Sequence, residues 1–146
     1  MNIINYNQVF FEDLVNMYYE MTKEIYSHKH IGNKQMFYRE IDRITNDNQY
    51  HIVLAVSNGK VVGFSKSYID YHSGLYSPDY YTELLYVKPS NRGSKALYML
   101  AKNIDLYAKE NGLDNVINAR IDNGFSETIK KHYNTISSFE KLEQRN

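Results

Sequence analysis

The stretch "YVKPSNRGSKALYML", residues 86–100, decides the fold. Apolar residues run into Pro89, a small polar loop follows, and a helical pattern then begins with a lysine in its first turn. Apolar residues at spacings of three and four form the buried stripe of that helix, and Gly112 stands where a left-handed C-terminal cap belongs. The stripe comprises Leu97, Leu100, Ala101, Ile104 and Ala108. The stretch therefore predicts a strand, a tight loop and a helix.

The loop at residues 91–94 has the composition of an anion site. The N-terminus of a helix offers unpaired backbone N–H groups and the positive end of the helix dipole. Gly93 allows an anion to approach the backbone, while Arg92 and Lys95 add positive charge. Ser94 can either cap the helix or donate to a phosphate oxygen, so an ordinary capped turn stays open as the alternative.

Two well-known phosphate-binding patterns are absent from the chain. The Walker A pattern Gly-x4-Gly-Lys-Ser/Thr does not occur, and neither does the dinucleotide fingerprint Gly-x-Gly-x-x-Gly. The loop thus indicates a phosphate-bearing ligand without identifying it.

The residues before this stretch predict a strand, two helices and a hairpin. A short apolar start is followed by a helix over residues 9–26 and a second helix over residues 34–45, with Met36, Phe37, Ile41 and Ile44 facing inward. Two strand-like runs, "HIVLAVS" and "KVVGFSKSYI", flank Asn58 and Gly59, the pair that best suits a type I′ turn. A strand over residues 80–87 then leads into the loop.

The residues after the helix predict a strand in "NVINARI", a helix in "SETIKKHY" and a last strand in "SSFEKLE". The element order is therefore βααβββαβαβ. A strand, helix and strand in succession require a parallel pair with a right-handed crossover, whereas the hairpin is antiparallel. We expect an α/β fold with a mixed sheet and helices on both faces.

Length and composition narrow the class of protein. The chain of 146 residues predicts one domain over residues 1–146. The 17 basic residues balance 17 acidic ones, which argues against a nucleic-acid partner. No apolar run is long enough to span a membrane, and no signal pattern opens the chain. With no cysteine there is no disulfide framework and no thiolate nucleophile, which fits a cytoplasmic protein.

The segment "TELLYVKPSNRGSKALYMLAKNIDLYAKENGLDNV", residues 82–116, resembles the acetyl-CoA-binding motif of the GNAT N-acetyltransferase superfamily. That motif is a strand ending near a proline, followed by an Arg-x-x-Gly-x-Gly/Ala loop that opens a helix. The resemblance implies a GNAT-like fold with two parallel strands splayed around the cofactor. It also implies an enzyme that moves an acetyl group from acetyl-CoA to an amine of a small molecule or protein, without a metal.

The resemblance assigns cofactor contacts to two segments. The backbones of Leu85, Tyr86 and Val87 would pair with the pantetheine arm. The loop and first helical turn would surround the pyrophosphate through Arg92, Gly93, Ser94, Lys95, Ala96 and Leu97. Lys95 and Leu97 stand where the family prefers Gly and Gly/Ala.

The resemblance also assigns catalytic roles. Glu83, four residues before Val87, is the expected general base, and strict alternation would place it on one face of the strand with Leu85 and Val87. A backbone N–H near Leu85 would stabilise the oxyanion. In the family's "N-x-x-A-x-x-x-Y" helix, this chain has Ser126 at the cofactor-touching position and Tyr133 at the position of the general acid.

Three further expectations concern partners. Glu24, His28 and His30 are spaced too loosely to predict a metal site. Five tyrosines are candidates to line an acceptor pocket or a homodimer contact: Tyr68, Tyr71, Tyr76, Tyr80 and Tyr81. The departures at Lys95, Leu97 and Ser126 keep a second hypothesis open, in which a degenerate GNAT fold binds CoA or acts as a protein-interaction or inhibitor module.

Overall fold

The computed structural model describes residues 1–26 and 31–118. The order β-α-α-β-β-β-α-β is confirmed over this part of the chain. The elements are β1 Asn2–Asn5, α1 Phe11–Ile25, α2 Lys34–Thr45, β2 Tyr50–Ser57, β3 Lys60–Asp70, β4 Asp79–Val87, α3 Ala96–Glu110 and β5 Asn115–Asn118. The helix predicted in "SETIKKHY" and the strand predicted in "SSFEKLE" lie outside the described residues.

The described strands form one mixed sheet in the order β1-β2-β3-β4-β5. The first four strands pair antiparallel, while β5 pairs parallel to β4 from Asp79 to Thr82. The parallel pair that the strand-helix-strand pattern required is therefore confirmed. The splay that the resemblance implied between the two parallel strands depends on residues after Asn118, which lie outside the described part.

The β2–β3 hairpin closes as its sequence predicts. Asn58 has φ of 52° and Gly59 has φ of 76°, so both central residues adopt the left-handed conformation of a type I′ turn. Gly112, after α3, is also left-handed with φ of 67°. These local signals fix the boundaries of the elements that carry the site.

Helices cover both faces of the sheet, as expected. The helices α1 and α2 bury Leu14, Ile41 and their neighbours against one face, together with Phe64 and Tyr86. On the other face α3 buries Leu97 and Leu100 against the sheet. The inward direction predicted for Met36 is wrong, because this residue lies in the first turn of α2 and is 58% exposed.

A glycine in β3 sets how closely α3 approaches the sheet. A Cβ at Gly63 would lie 2.8 Å from the carbonyl oxygen of Tyr86 and 3.2 Å from Leu100 Cδ1. No side chain fits there without a shift of backbone, because real Cβ atoms do not approach an oxygen so closely. The absence of a side chain at Gly63 therefore allows α3 to pack closely against the sheet near the end of β4.

A histidine bridges the strands on the α3 side. The His51 ring stacks on Tyr107 with centroids 4.0 Å apart. Its Nδ1 lies 2.6 Å from the Tyr80 hydroxyl, and its Nε2 lies 3.1 Å from Asn5 Oδ1. Both contacts suit a neutral imidazole that accepts from Tyr80 and donates to Asn5. Burial lowers the pKa of His51 below its ordinary value of 6.5.

We expect His51 to make the fold sensitive to mild acid. The unfolded chain takes up a proton near pH 6.5, whereas the folded chain does so only at lower pH. The contribution of His51 to the free energy of unfolding is therefore fully present above pH 6.5. It is lost as the pH drops towards the folded pKa, by at most about 1.4 kcal/mol per pH unit. Urea denaturation of wild type and His51→Gln at a series of pH values checks this. An equally steep fall in both proteins would assign the effect to other groups.

Candidate active site

A β-bulge places Glu83 at the centre of the candidate site. In the β3–β4 pairing Lys66 lies opposite Leu84 and Ser67 lies opposite Thr82, so Glu83 is an extra residue in β4. Its side chain contacts Lys66 on the α1 and α2 face, whereas Leu85 and Val87 are buried on the α3 face. The prediction that Glu83 shares a face with Leu85 and Val87 is wrong, because it assumed alternation without a bulge.

The Glu83 carboxylate lies between solvent and a buried ammonium group. Its side chain is 42% exposed, and its Oε1 lies 3.3 Å from Nζ of Lys66, whose side chain is only 3% exposed. The Lys66 ammonium also lies 4.4 Å from the centroid of the Tyr50 ring. A carboxylate held in this way on one side and open on the other can accept a proton from an incoming group.

Tyrosines surround this ion pair. Tyr68 packs against Tyr50 and Tyr81, with ring centroids 6.2 Å and 5.3 Å apart. On α1, burial first, and then the negative charges of Glu40 and Glu83, raise the pKa of Tyr18 to about 12. Tyr18 therefore keeps its proton near neutral pH. The site thus consists of one ion pair surrounded by uncharged aromatic side chains.

The five tyrosines that the sequence grouped as candidates for an acceptor pocket lie in three different places in the structure. It brings together Tyr68 and Tyr81 beside Glu83. Tyr80 is buried in the α3-side core, while Tyr71 and Tyr76 are exposed in the β3–β4 loop. Of these five tyrosines, Tyr68 and Tyr81 are therefore the two placed to contribute to an acceptor pocket at Glu83.

The loop before α3 presents free backbone donors. Among residues 1–26 and 31–118, no hydrogen-bond acceptor faces the backbone N–H groups of Gly93, Lys95 and Leu97. A Cβ at Gly93 would meet nothing within 4 Å, and this glycine does not adopt a left-handed conformation. Neither packing within the described part nor backbone geometry therefore requires glycine at this position. The arrangement suits an anion that approaches from outside.

Two loop side chains turn away from the open donors. The Ser94 hydroxyl donates to the carbonyl oxygen of Asn91 at 2.5 Å and accepts from the N–H of Ala96 at 3.2 Å. Both bonds lie within the turn that leads into α3, whose N-cap residue is Lys95. The Leu97 side chain is 6% exposed and packs in the α3-side core. The bulk of Leu97 therefore points away from the open side of the loop, and Lys95 is exposed.

The Arg92 side chain ties the loop to α1. Its Nε donates to the carbonyl oxygen of Val87 at 3.0 Å, and its Nη1 lies 2.6 Å from Glu24 Oε1. Tyr86 donates its hydroxyl to the other oxygen of Glu24 at 2.7 Å, and burial foremost raises the pKa of Tyr86. Through Nε and Nη1, Arg92 thus connects the loop to the end of β4 and to Glu24 on α1.

Several predicted residues cannot be placed. Ser126 and Tyr133 lie outside the described residues, as do His28 and His30. Glu24, the third member of the loose metal pattern, is engaged by Arg92 and Tyr86. In the part of the chain that the structure describes, no group of three or more acidic, histidine or cysteine side chains could hold a metal ion. No helix in that same part is long and apolar enough to cross a membrane.

Sequence reasoning missed Lys66, although a signal for it exists. Along β3 the alternation puts Lys66 on the same face as Phe64, which is buried against α1 and α2. A lysine on the same inward face as Phe64 indicates a buried partner or a functional charge. The Glu24 contact has no comparable signal, because Glu24 and Arg92 are far apart in sequence.

Comparison of the fold with solved structures gives many matches. A ribosomal-protein-alanine N-acetyltransferase from Brucella melitensis biovar Abortus 2308 superposes with a TM-score of 0.76 at 15% identity, covering 93% of this chain and 90% of that one. An aminoglycoside 6'-N-acetyltransferase from Acinetobacter haemolyticus superposes with a TM-score of 0.67 at 16% identity, covering 95% and 90%. An aminoglycoside N-acetyltransferase solved with CoA gives 0.66 at 16% identity, covering 94% and 84%. These likenesses establish the fold.

Comparison of the sequence identifies a family. No curated protein matches the chain significantly. The model of the acetyltransferase (GNAT) family, in contrast, matches residues 11–127, which include the bulged strand, the loop and all three described helices. Since that match spans most of the chain, the protein belongs to the GNAT acetyltransferase family.

Proposed function

We propose that the protein transfers an acetyl group from acetyl-CoA to a primary amine while both substrates are bound. The observation that carries this proposal is the set of backbone N–H groups at Gly93, Lys95 and Leu97, beside the N-terminus of α3, that no acceptor in the described part of the chain meets. Three N–H groups and a helix dipole provide a site for a pyrophosphate. Gly93 leaves the space that such a group needs, so the residues present fit the cofactor.

Different residues of this chain would bind the cofactor, accept the proton and stabilise the oxyanion. The backbone of residues 85–87 would align the pantetheine arm along β4, and the loop would hold the pyrophosphate. Acetyl-CoA supplies the acetyl group as a thioester. Glu83 accepts a proton from the acceptor ammonium, and the freed amine nitrogen attacks the carbonyl carbon, so that a C–N bond forms and the C–S bond breaks. The N–H of Leu85 would stabilise the oxyanion.

The leaving thiolate needs a proton, and we assign this role to Tyr133. This assignment, like the cofactor contact of Ser126, rests on the family motif alone. The chain has no cysteine, so the acetyl group cannot pass through a cysteine thioester on the protein. Direct attack on acetyl-CoA is the mechanism that the available side chains support.

Calorimetric titration of acetyl-CoA into wild type and Gly93→Ala tests this function. We expect the substitution to weaken binding about tenfold, because the added methyl group occupies the approach to the free donors. The free energy of unfolding should change by less than about 1 kcal/mol, since the new Cβ meets no neighbour within 4 Å.

Ser90→Ala is the matched control, because Ser90 is exposed in the same connection and, among the described residues, its hydroxyl bonds only to the Asn91 side chain. Its affinity for acetyl-CoA should equal that of wild type. Equal affinity in Gly93→Ala would remove the loop from the binding site. If wild type bound no acetyl-CoA, the enzyme proposal would fail and the interaction-module hypothesis would replace it.

A further inference from the structure

We propose that the acceptor carries a carboxylate next to its amine, and that Lys66 binds this carboxylate while Glu83 takes the proton of the amine. The acceptor class is then that of α-amino acids with apolar or aromatic side chains. This inference rests on the proposed function and deepens it, because it concerns the acceptor side of the same site.

The first argument is the incomplete bonding of a buried ammonium. Lys66 has three N–H donors. Within the described residues they meet one oxygen, Glu83 Oε1 at 3.3 Å, and the face of the Tyr50 ring. A buried ammonium is costly unless its donors are paired. An anionic group of a ligand would supply the acceptors that this part of the protein leaves out.

The second argument is the arrangement of charge. Glu83 and Lys66 form a pair of opposite charges, with the carboxylate partly exposed and the ammonium beneath it. A ligand complements such a pair when it brings its own two opposite charges at a similar spacing, as an amine and a carboxylate on one carbon do. The four charges then alternate around the site. An amine without a carboxylate leaves Lys66 unmatched, and a polyamine adds like charge near it.

The third argument concerns the rest of the acceptor. The Tyr68 and Tyr81 rings lie 5.3 Å apart on the same face as Lys66, and both are half-buried. Aromatic faces of this kind pack against apolar or aromatic groups. They favour an acceptor whose side chain is uncharged.

The test compares three acceptors that differ only at the carboxylate: L-phenylalanine, L-phenylalaninamide and phenethylamine. Release of CoA is followed with a thiol reagent, which meets no protein background because the chain lacks cysteine. For wild type we expect kcat/KM for L-phenylalanine to exceed that of either analogue without a carboxylate by about tenfold or more, as a charge-assisted hydrogen bond provides. In Lys66→Met the ratio should fall to about one.

Lys60→Met is the matched control, since Lys60 is an exposed lysine at the start of the same strand and should keep the wild-type ratio. Acetyl-CoA titration verifies that Lys66→Met is folded, and the wild-type ratio decides the question even if that variant is not. Equal turnover of all three acceptors by wild type would overturn the inference and leave the proposed function standing. If wild type bound acetyl-CoA but acetylated no amine, the proposed transferase function itself would fail.

Discussion

Glu83→Gln is expected to lower kcat for acetyl transfer by about 100-fold or more, with acetyl-CoA affinity unchanged within about twofold. Glutamine keeps the shape of the side chain and can still offer an amide oxygen to Lys66, but it cannot take a proton from the acceptor ammonium. The loss should therefore appear in turnover and not in cofactor binding. Steady-state release of CoA and calorimetric titration measure the two quantities separately.

The variant must be separated from a general loss of structure. Glu110, an exposed residue at the end of α3, lies on the opposite side of the sheet from α1 and α2, so Glu110→Gln is the control that changes the same chemical group outside the site. We expect it to match wild type in kcat and in thermal stability. A Glu83→Gln protein that turned over at the wild-type rate from mildly acidic to mildly alkaline pH would show that Glu83 is not the base.

Elements whose signals are local could be predicted from the sequence. The Asn58 and Gly59 pair specifies its own turn, and both residues adopt the positive φ that this turn requires. The loop around Gly93 and the stripe of α3 were predictable for the same reason, because helix starts and stops depend on residues a few positions apart. The parallel pairing of β4 with β5 followed from the order of elements.

The surroundings of Glu83 were not predictable, because they depend on strand register. A bulge shifts every side chain after it to the other face, and one sequence does not state where an extra residue enters. Alternation alone therefore placed Glu83 with the apolar residues Leu85 and Val87. The structure places it beside Lys66, which changes the site from an isolated carboxylate to an ion pair.

The contact of Arg92 with Glu24 was not predictable for a different reason. A loop arginine next to open N–H groups suggests a phosphate contact, and only the packing of α1 against the sheet brings Glu24 within reach. Glu24 and Arg92 are far apart in sequence, so the residues around either one do not indicate that the two are in contact. The loop therefore binds anions, on our proposal, through its backbone, while its arginine holds the loop in place.

Arg92→Ala is accordingly expected to lower the free energy of unfolding by about 2–3 kcal/mol. The substitution removes a 2.6 Å ion pair with Glu24, a 3.0 Å hydrogen bond to the carbonyl oxygen of Val87 and the contact with the Tyr86 ring. It also leaves Glu24, which is largely buried, with Tyr86 as its remaining partner among the described residues. Urea denaturation followed by circular dichroism measures the change.

Arg39→Ala is the control, because Arg39 is exposed on α2, and its substitution should change stability by less than about 0.5 kcal/mol. A double-mutant cycle with Glu24→Gln isolates the pair, since two residues in contact give a coupling energy of about 1 kcal/mol or more. Additive effects would mean that the ion pair contributes nothing to stability. A large loss of acetyl-CoA affinity with unchanged stability would instead make Arg92 a phosphate ligand and reverse the role assigned to it.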